Sequence, residues 1–294
     1  MTAKGSYYLP EPSPWPIITS SGLFLTALGI ILTINRVPHG VWVLLAGMAV
    51  VIYMVIRWFG QVIHESEAGT YNSQVDMSFR LGMGWFIFSE VMFFAAFFGA
   101  LFYIRVFSTD WLSAGPAHDF LWQNYHGGWP TAGPAGPTAV TGHEALPGPN
   151  QFTPMTAFPI PFINTLILLT SGATVTWAHW GLKKDNRAQL ITGLFLTVSL
   201  GLTFLAMQSY EYVHAFTELH MSLKTGVYGA TFFMLTGFHG LHVTLGSIML
   251  MVILGRSLKG HFTPDHHFGF EAVSWYWHFV DVVWLGLFIF VYLL

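Results

Sequence analysis

The sequence predicts an all-α integral membrane protein with seven transmembrane helices, and three observations carry that prediction. Only 9% of the 294 residues are Asp, Glu, Lys or Arg, whereas 53% are hydrophobic and 17% aromatic. Ordinary soluble domains carry about 25% charged residues, so this chain lacks the polar surface to face water on all sides. The mean hydropathy is +0.55, and the apolar residues are gathered into seven stretches, each long enough to span about 30 Å of hydrocarbon as a helix.

The stretches run approximately from Pro16 to Asn35, Gly40 to Ile63, Phe79 to Phe107, Thr156 to Gly181, Ala188 to Tyr212, Thr225 to Gly255, and Phe270 to Leu294. Arg57 interrupts the second near one end, where its long stem lets the guanidinium snorkel to headgroup depth. Lys and Arg placement sets the orientation. With the N-terminus inside, the inner segments hold Lys4, Arg57, Arg80, Lys183, Lys184, Arg187, Arg256 and Lys259, and the outer ones hold Arg36, Arg105 and Lys224, which accounts for all 11 basic residues. The C-terminus then faces outward. Between spans three and four, residues 108–155 are rich in Pro and Gly ("GGWPTAGPAGPTAVTGHEALPGPN") and read as an irregular outer loop, partly disordered. No fixed-period repeat and no inverted symmetry between the halves is apparent.

Composition also excludes function classes. A net charge of -3 and a pI near 6.5 provide no basic patch for nucleic acid. Cysteine is absent, which removes disulfides, thiolate metal sites and covalently attached c-type haem. The first apolar run is preceded by a single Lys and no Arg and is followed by no small-residue cleavage motif, so a removable signal peptide is not expected.

Candidate functional residues are the polar groups inside the spans. Between Leu81 and Ile104 the only formal charge is Glu90. Its helical neighbours Phe86, Ile87, Phe93 and Phe94 offer no hydrogen bond, so its partner must come from another helix or from water. Burial favours the neutral form of such an acid. Proton relay is the functional reading, and a structural acid bonded across a helix interface is the preferred one. In the last span Glu271, Ser274, His278 and Asp281 follow at spacings of three, four and three, a single helical face that must meet protein or a water-filled crevice. His179, Glu211, His239 and His242 complete the expected intramembrane polar network. Two histidines three apart on one helix cannot bracket a macrocycle, so His239 and His242 are read as ties between helices, helped by the small-residue ladder Thr236, Gly240 and Thr244. No metal and no catalytic group is expected on this chain. At the inner ends, Arg256, Lys259 and His261 after span six, and Trp58 and Phe59 in span two, suit anionic phospholipid headgroups.

The motifs "SPWPI" at Ser13, "FSEVMFF" around Glu90, "TWAHW" closing span four, "GVYGATFFMLTGFHGLHV" in span six and "HHFGFEAVSWYWHFVDVVWL" from His266 to Leu285 together resemble subunit III of the aa3-type cytochrome c oxidases, over nearly the whole chain and in order. The resemblance implies an N-terminal two-helix arm (1–75) splayed from a five-helix bundle (76–294), forming a V-shaped cleft that holds phospholipid. It implies a core subunit without haem or copper that packs against subunits I and II, with a small subunit IV as a further partner. Haem a, haem a3, CuB and CuA then belong to the partner subunits, and cytochrome c is met only through the complex. The implied role is to sustain proton uptake and protect the catalytic subunit during O2 reduction. The family's carbodiimide-reactive acid falls on Glu90, and its lipid positions fall on Trp58, Phe59, Glu65, Phe86, Arg256 and Lys259. The chain departs from the family where "WFGQVIHE" replaces the usual Trp-Trp-Arg-Asp, placing Gly60 at an anchoring Arg. The long outer loop favours a bacterial inner membrane over a mitochondrial one.

A transporter using Glu90 and the last-span stripe as an ion path is the competing class. A retinal-type receptor is excluded because the last span has no Lys for a Schiff base. The related five-helix quinol oxidase subunits lack the two N-terminal spans.

Overall fold

In hydrocarbon every backbone N–H and C=O must be satisfied within the segment, so apolar runs of this length become helices. The computed structural model describes residues 8, 12–116, 118–123, 125–134 and 152–294, and among them there is no strand. The order is α1 (Trp15–Ile34), α2 (Gly40–Glu67), α3 (Ser73–Tyr103), a π-helical turn (Ile104–Ser108), the short helices α4 (Thr109–Ala114) and α5 (His118–Leu121), then α6 (Ile160–Lys183), α7 (Arg187–Thr217), α8 (Val227–Lys259) and α9 (Phe268–Leu287), which ends in a second π-helical segment, Phe288–Leu293. Seven helices among the described residues are long and apolar enough to cross a membrane, the third running continuously from Ser73 to Ala114.

Contacts divide the chain into two compact units, residues 1–81 and 82–294. In the first, α1 and α2 form an antiparallel hairpin held by close backbone approach. A Cβ added at Gly29 would lie 2.3 Å from the Leu44 amide nitrogen, and one at Gly47 would lie 2.4 Å from that of Thr26. Small residues are what permit such packing where lipid offers no hydrophobic drive. At the open end of the hairpin, Trp15 donates to Gln61 at 2.7 Å, Gln61 donates to Glu65 at 2.9 Å, and the Tyr71 hydroxyl donates to the other Glu65 oxygen at 2.8 Å.

The second unit is organised around α9. Trp277 is fully buried in a slot between α7 and α8, where a Cβ at Gly201 or Gly246 would come within 2.8 Å of its indole. Its Nε1 donates to Ser171 of α6 at 2.9 Å, and two turns further along the same face Trp284 Nε1 donates to Thr165 at 2.9 Å. A buried indole N–H needs such a partner, and these two bonds fix the rotation of α9 against α6. The adjoining hairpin α6–α7 is equally close, with Gly193 against Ala178, and its turn is capped by the Asn186 side chain accepting from the Gln189 amide at 3.1 Å.

Three expectations change here. Helix ends extend past the apolar windows, to Glu67, Thr217 and Lys259, because polar helix formers carry the backbone on into the headgroup region. Residues 108–114 belong to the third span rather than to the outer loop, since neither Gly nor Pro occurs before Gly115 and Pro116. The described flanks of that loop are built into the fold: Val227 and Tyr228 amides donate to Ala132 and Thr131, Phe152 lies parallel to Tyr228 with centroids 5.2 Å apart, and Thr153 pairs with Leu219. Residues 135–151 of the loop expected to be irregular lie outside the described residues. Finally, of the ladder Thr236, Gly240 and Thr244, Thr236 is buried with its hydroxyl 2.7 Å from that of Tyr212 on α7, and the other two do not pack against a helix among the described residues. A Cβ at Gly240 meets nothing within 4 Å and Thr244 is exposed, while the seam runs through Gly246 instead.

Candidate functional site

The polar residues singled out in the spans form separate groups rather than one continuous network. Glu90 finds its partner on α8: its Oε2 lies 2.8 Å from Nε2 of His242, whose Nδ1 is 2.6 Å from the Phe238 carbonyl. A carbonyl only accepts, so Nδ1 carries a proton and donates it. The second proton of the pair then lies on the Glu90 oxygen or on Nε2, and in either arrangement the pair as a whole is neutral. Aromatic rings enclose it. Phe94 meets the His242 ring edge-on at 5.0 Å, and Tyr276 lies parallel to it at 6.3 Å.

Glu211 is 1% exposed. It accepts a 2.6 Å bond from the Tyr292 hydroxyl, a partner contributed by the π-helical end of the last span. His239 lies one turn from His242 but points elsewhere. Its ring is covered by Phe204 (5.8 Å, edge-on) and Trp284 (5.2 Å), and neither nitrogen has a hydrogen-bond partner. The two histidines therefore do not act as one unit.

The last-span stripe is also divided. His278 and Asp281 stay together, with Nδ1 3.6 Å from Oδ2, and His278 Nε2 lies 3.2 Å from the Thr176 hydroxyl of α6. They line an open apolar groove with Leu169, Trp180, Val282 and Leu285. Glu271, two turns before His278, belongs to a different group in the first turn of α9. Its Oε1 lies 3.6 Å from Nε2 of His179 and 3.4 Å from Nε2 of His267. His267 was not among the candidates read from the sequence, although its position four before Glu271 was the available signal. Tyr292 and Thr176 had none, because a hydroxyl on an apolar helix looks like packing until its neighbour is known.

Among the proposed lipid positions, Trp58 and Phe59 are exposed side by side on α2, with ring centroids 5.6 Å apart. Both Glu65 oxygens are engaged within the chain, by Gln61 and Tyr71. Tyr71 lies outside the spans, and burial together with the Glu65 bond pushes its hydroxyl well above the usual phenol range. Phe86 lies parallel to Tyr276 at 6.2 Å and stays half exposed. Arg256 stacks over Phe262 at 4.4 Å, and Lys259 closes α8 one turn later, before Gly260 at φ 79°. Basic residues in a last turn complement the helix dipole. Sequence reasoning used Arg187 only for orientation. It donates to the Ser257 and Leu258 carbonyls at 3.0 and 2.9 Å, tying the α6–α7 turn to the end of α8.

Comparison with known proteins agrees with this architecture. The family model described as "Cytochrome c oxidase subunit III" matches residues 5–114 and 135–294. "Cytochrome c oxidase subunit 3" of Struthio camelus is 40% identical over 288 residues, covering 98% of this chain and 96% of that one. The Branchiostoma lanceolatum protein of the same name is 39% identical over 287 residues, with 97% and 95% covered. "Probable cytochrome c oxidase subunit 3" of Rickettsia felis is 39% identical over 296 residues, covering 100% and 96%. With seven spans, a last helix buried at the centre of its bundle, and a family match over nearly its whole length, the chain belongs to the cytochrome c oxidase subunit III family.

Proposed function

We propose that this chain is the non-redox core subunit of a proton-translocating aa3-type oxidase, binding structural phospholipid and sustaining proton uptake while electrons pass from cytochrome c to O2 in subunits I and II, which carry haem a, haem a3, CuB and CuA. The observation that carries this reading is the Glu90–His242 pair, a partly buried acid with one carboxylate oxygen bonded to a facing helix beside aromatic rings, rather than aimed along a continuous path. The division of the other polar residues into separate groups supports it in the same way. Arg256, Lys259 and the aromatic positions Trp58, Phe59 and Phe86 are offered as headgroup and acyl-chain contacts. Glu65 is better placed as a support for the hairpin end, because its oxygens are already bonded. The V-shaped lipid cleft, a small subunit IV and an inward N-terminus are parts of the same proposal, drawn from the family resemblance and from Lys and Arg placement. A bacterial plasma membrane is favoured by the long outer loop, and relatives from Rickettsia align across all of this chain.

The test is depletion and add-back. Oxidase stripped of this chain should keep its haem and copper and its initial rate of O2 reduction, but lose activity within fewer turnovers, and purified chain with phospholipid should restore the lifetime. Loss of haem or copper together with the chain, or an unchanged lifetime without it, would refute the proposal.

A further inference from the structure

The cluster of His179, His267 and Glu271 lies where α6 ends and α9 begins, and the Glu90–His242 pair plays no part in it. One ligand-capable atom from each of the three residues lies within 4.8 Å of the other two. The contacts are too long for hydrogen bonds, at 3.4 and 3.6 Å from each Nε2 to the same Glu271 oxygen. They equal the ligand-to-ligand edge of a tetrahedral zinc site, about 3.3–3.6 Å when metal–ligand bonds are about 2.0–2.2 Å. A second observation is independent of that spacing. His267 Nδ1 is 3.0 Å from the Thr263 carbonyl and must donate to it, which leaves the Nε2 lone pair directed into the cluster. A metal-bound imidazole is oriented by this kind of outer bond. His267 immediately precedes α9 and Glu271 sits in its first turn, and the His179 ring packs edge-on against that of His267 with centroids 5.4 Å apart.

We propose that His179, His267 and Glu271 form a binding site for a divalent transition metal of the zinc class, with two imidazole nitrogens and one carboxylate oxygen from the protein and a fourth position left to water. This departs from the sequence-based expectation that the chain holds no metal. The donor set is mixed nitrogen and oxygen, which suits zinc and disfavours magnesium or calcium, whose sites are built of oxygen. The three side chains are 8–17% exposed, enough for an ion to enter from the headgroup side. The role is a structural clamp joining α6 to α9.

The experiment uses the intact oxidase, treated with chelator and then dialysed against graded zinc chloride, with bound zinc counted per haem by mass spectrometry. Wild-type complex should hold one more zinc than His179→Asn or Glu271→Gln complex at concentrations where its own site is filled, with the variants weaker by about tenfold or more. His278→Asn, an imidazole on α9 outside the cluster, should keep the wild-type count. Equal stoichiometry and affinity in the wild type and both variants would overturn the site. If a variant does not assemble, the wild type decides alone: anomalous scattering at the zinc edge should place a peak between the three side chains, and its absence at saturating zinc would overturn the proposal.

Discussion

Removing the Glu90 carboxylate should cost the chain the energy of one interhelical hydrogen bond and little else. The bond is 2.8 Å long and joins α3 to α8, whose other mutual contacts are aromatic packing around Phe93, Phe94 and Phe238. Glu90→Ala deletes it and leaves His242 Nε2 without a partner. Because side chains in membranes also find partners in the unfolded reference state, such bonds are worth about 0.6 kcal/mol on average and about 1.7 at most. Glu90→Gln should cost less than Glu90→Ala. With the Nδ1 proton held on the Phe238 carbonyl, Nε2 accepts, and the Gln amide can donate to it. His242→Ala adds lost ring packing, so the clean quantity is the coupling from the double-mutant cycle, expected at about 0.6–1.7 kcal/mol. Pulse proteolysis of the assembled complex across a denaturant series, scoring this chain by immunoblot, measures it. A coupling near zero, or Glu90→Gln as destabilising as Glu90→Ala, would refute the reasoning.

Other substitutions test the packing and the headgroup contacts. Gly246→Ala places a Cβ 2.8 Å from the Trp277 ring and should destabilise the chain by about 1–3 kcal/mol. Gly240→Ala meets nothing within 4 Å and should be neutral or stabilising by up to about 1 kcal/mol; the opposite order in a thermal unfolding series would return Gly240 to the packing seam. Arg256→Ala should lower the phospholipid retained per complex by mass spectrometry and shorten the catalytic lifetime without changing the initial rate, and unchanged lipid content would count against the headgroup assignment. Tyr71 donates to Glu65 only while protonated, and its hydroxyl is shifted upward. Its contribution is therefore complete below the ordinary phenol range, about 10, and is lost only above it. Tyr71→Phe should destabilise the complex equally at pH 7 and pH 9, whereas a cost that disappears by pH 9 would contradict that sign.

The seven spans were legible because hydrocarbon imposes one rule on every segment, and composition alone reports whether a run obeys it. The last helix was also readable, since Glu271, Ser274, His278 and Asp281 fall on one face by spacing. What spacing could not tell is that this face passes two different neighbours. Glu271 meets His179 and His267 at the start of α9, while His278 and Asp281 meet Thr176 and an open groove at its middle. The partner of Glu90 was expected from another helix or from water, and that it is His242 depends on the rotation of α8, where Gly246 receives Trp277. Tyr292 and Arg187 were missed for a similar reason. Their bonds, to Glu211 and to the end of α8, join residues 81 and 70 apart in sequence, and no local pattern encodes such distances.

The central claim is that Glu90, the acid bonded to His242, holds helices together and carries none of the pumped protons. The most direct measurement is proton release per electron by oxidase containing Glu90→Gln, reconstituted in vesicles with its haem content verified. The account predicts the wild-type ratio and wild-type initial turnover. A fully assembled variant that reduces O2 with a collapsed ratio would contradict it.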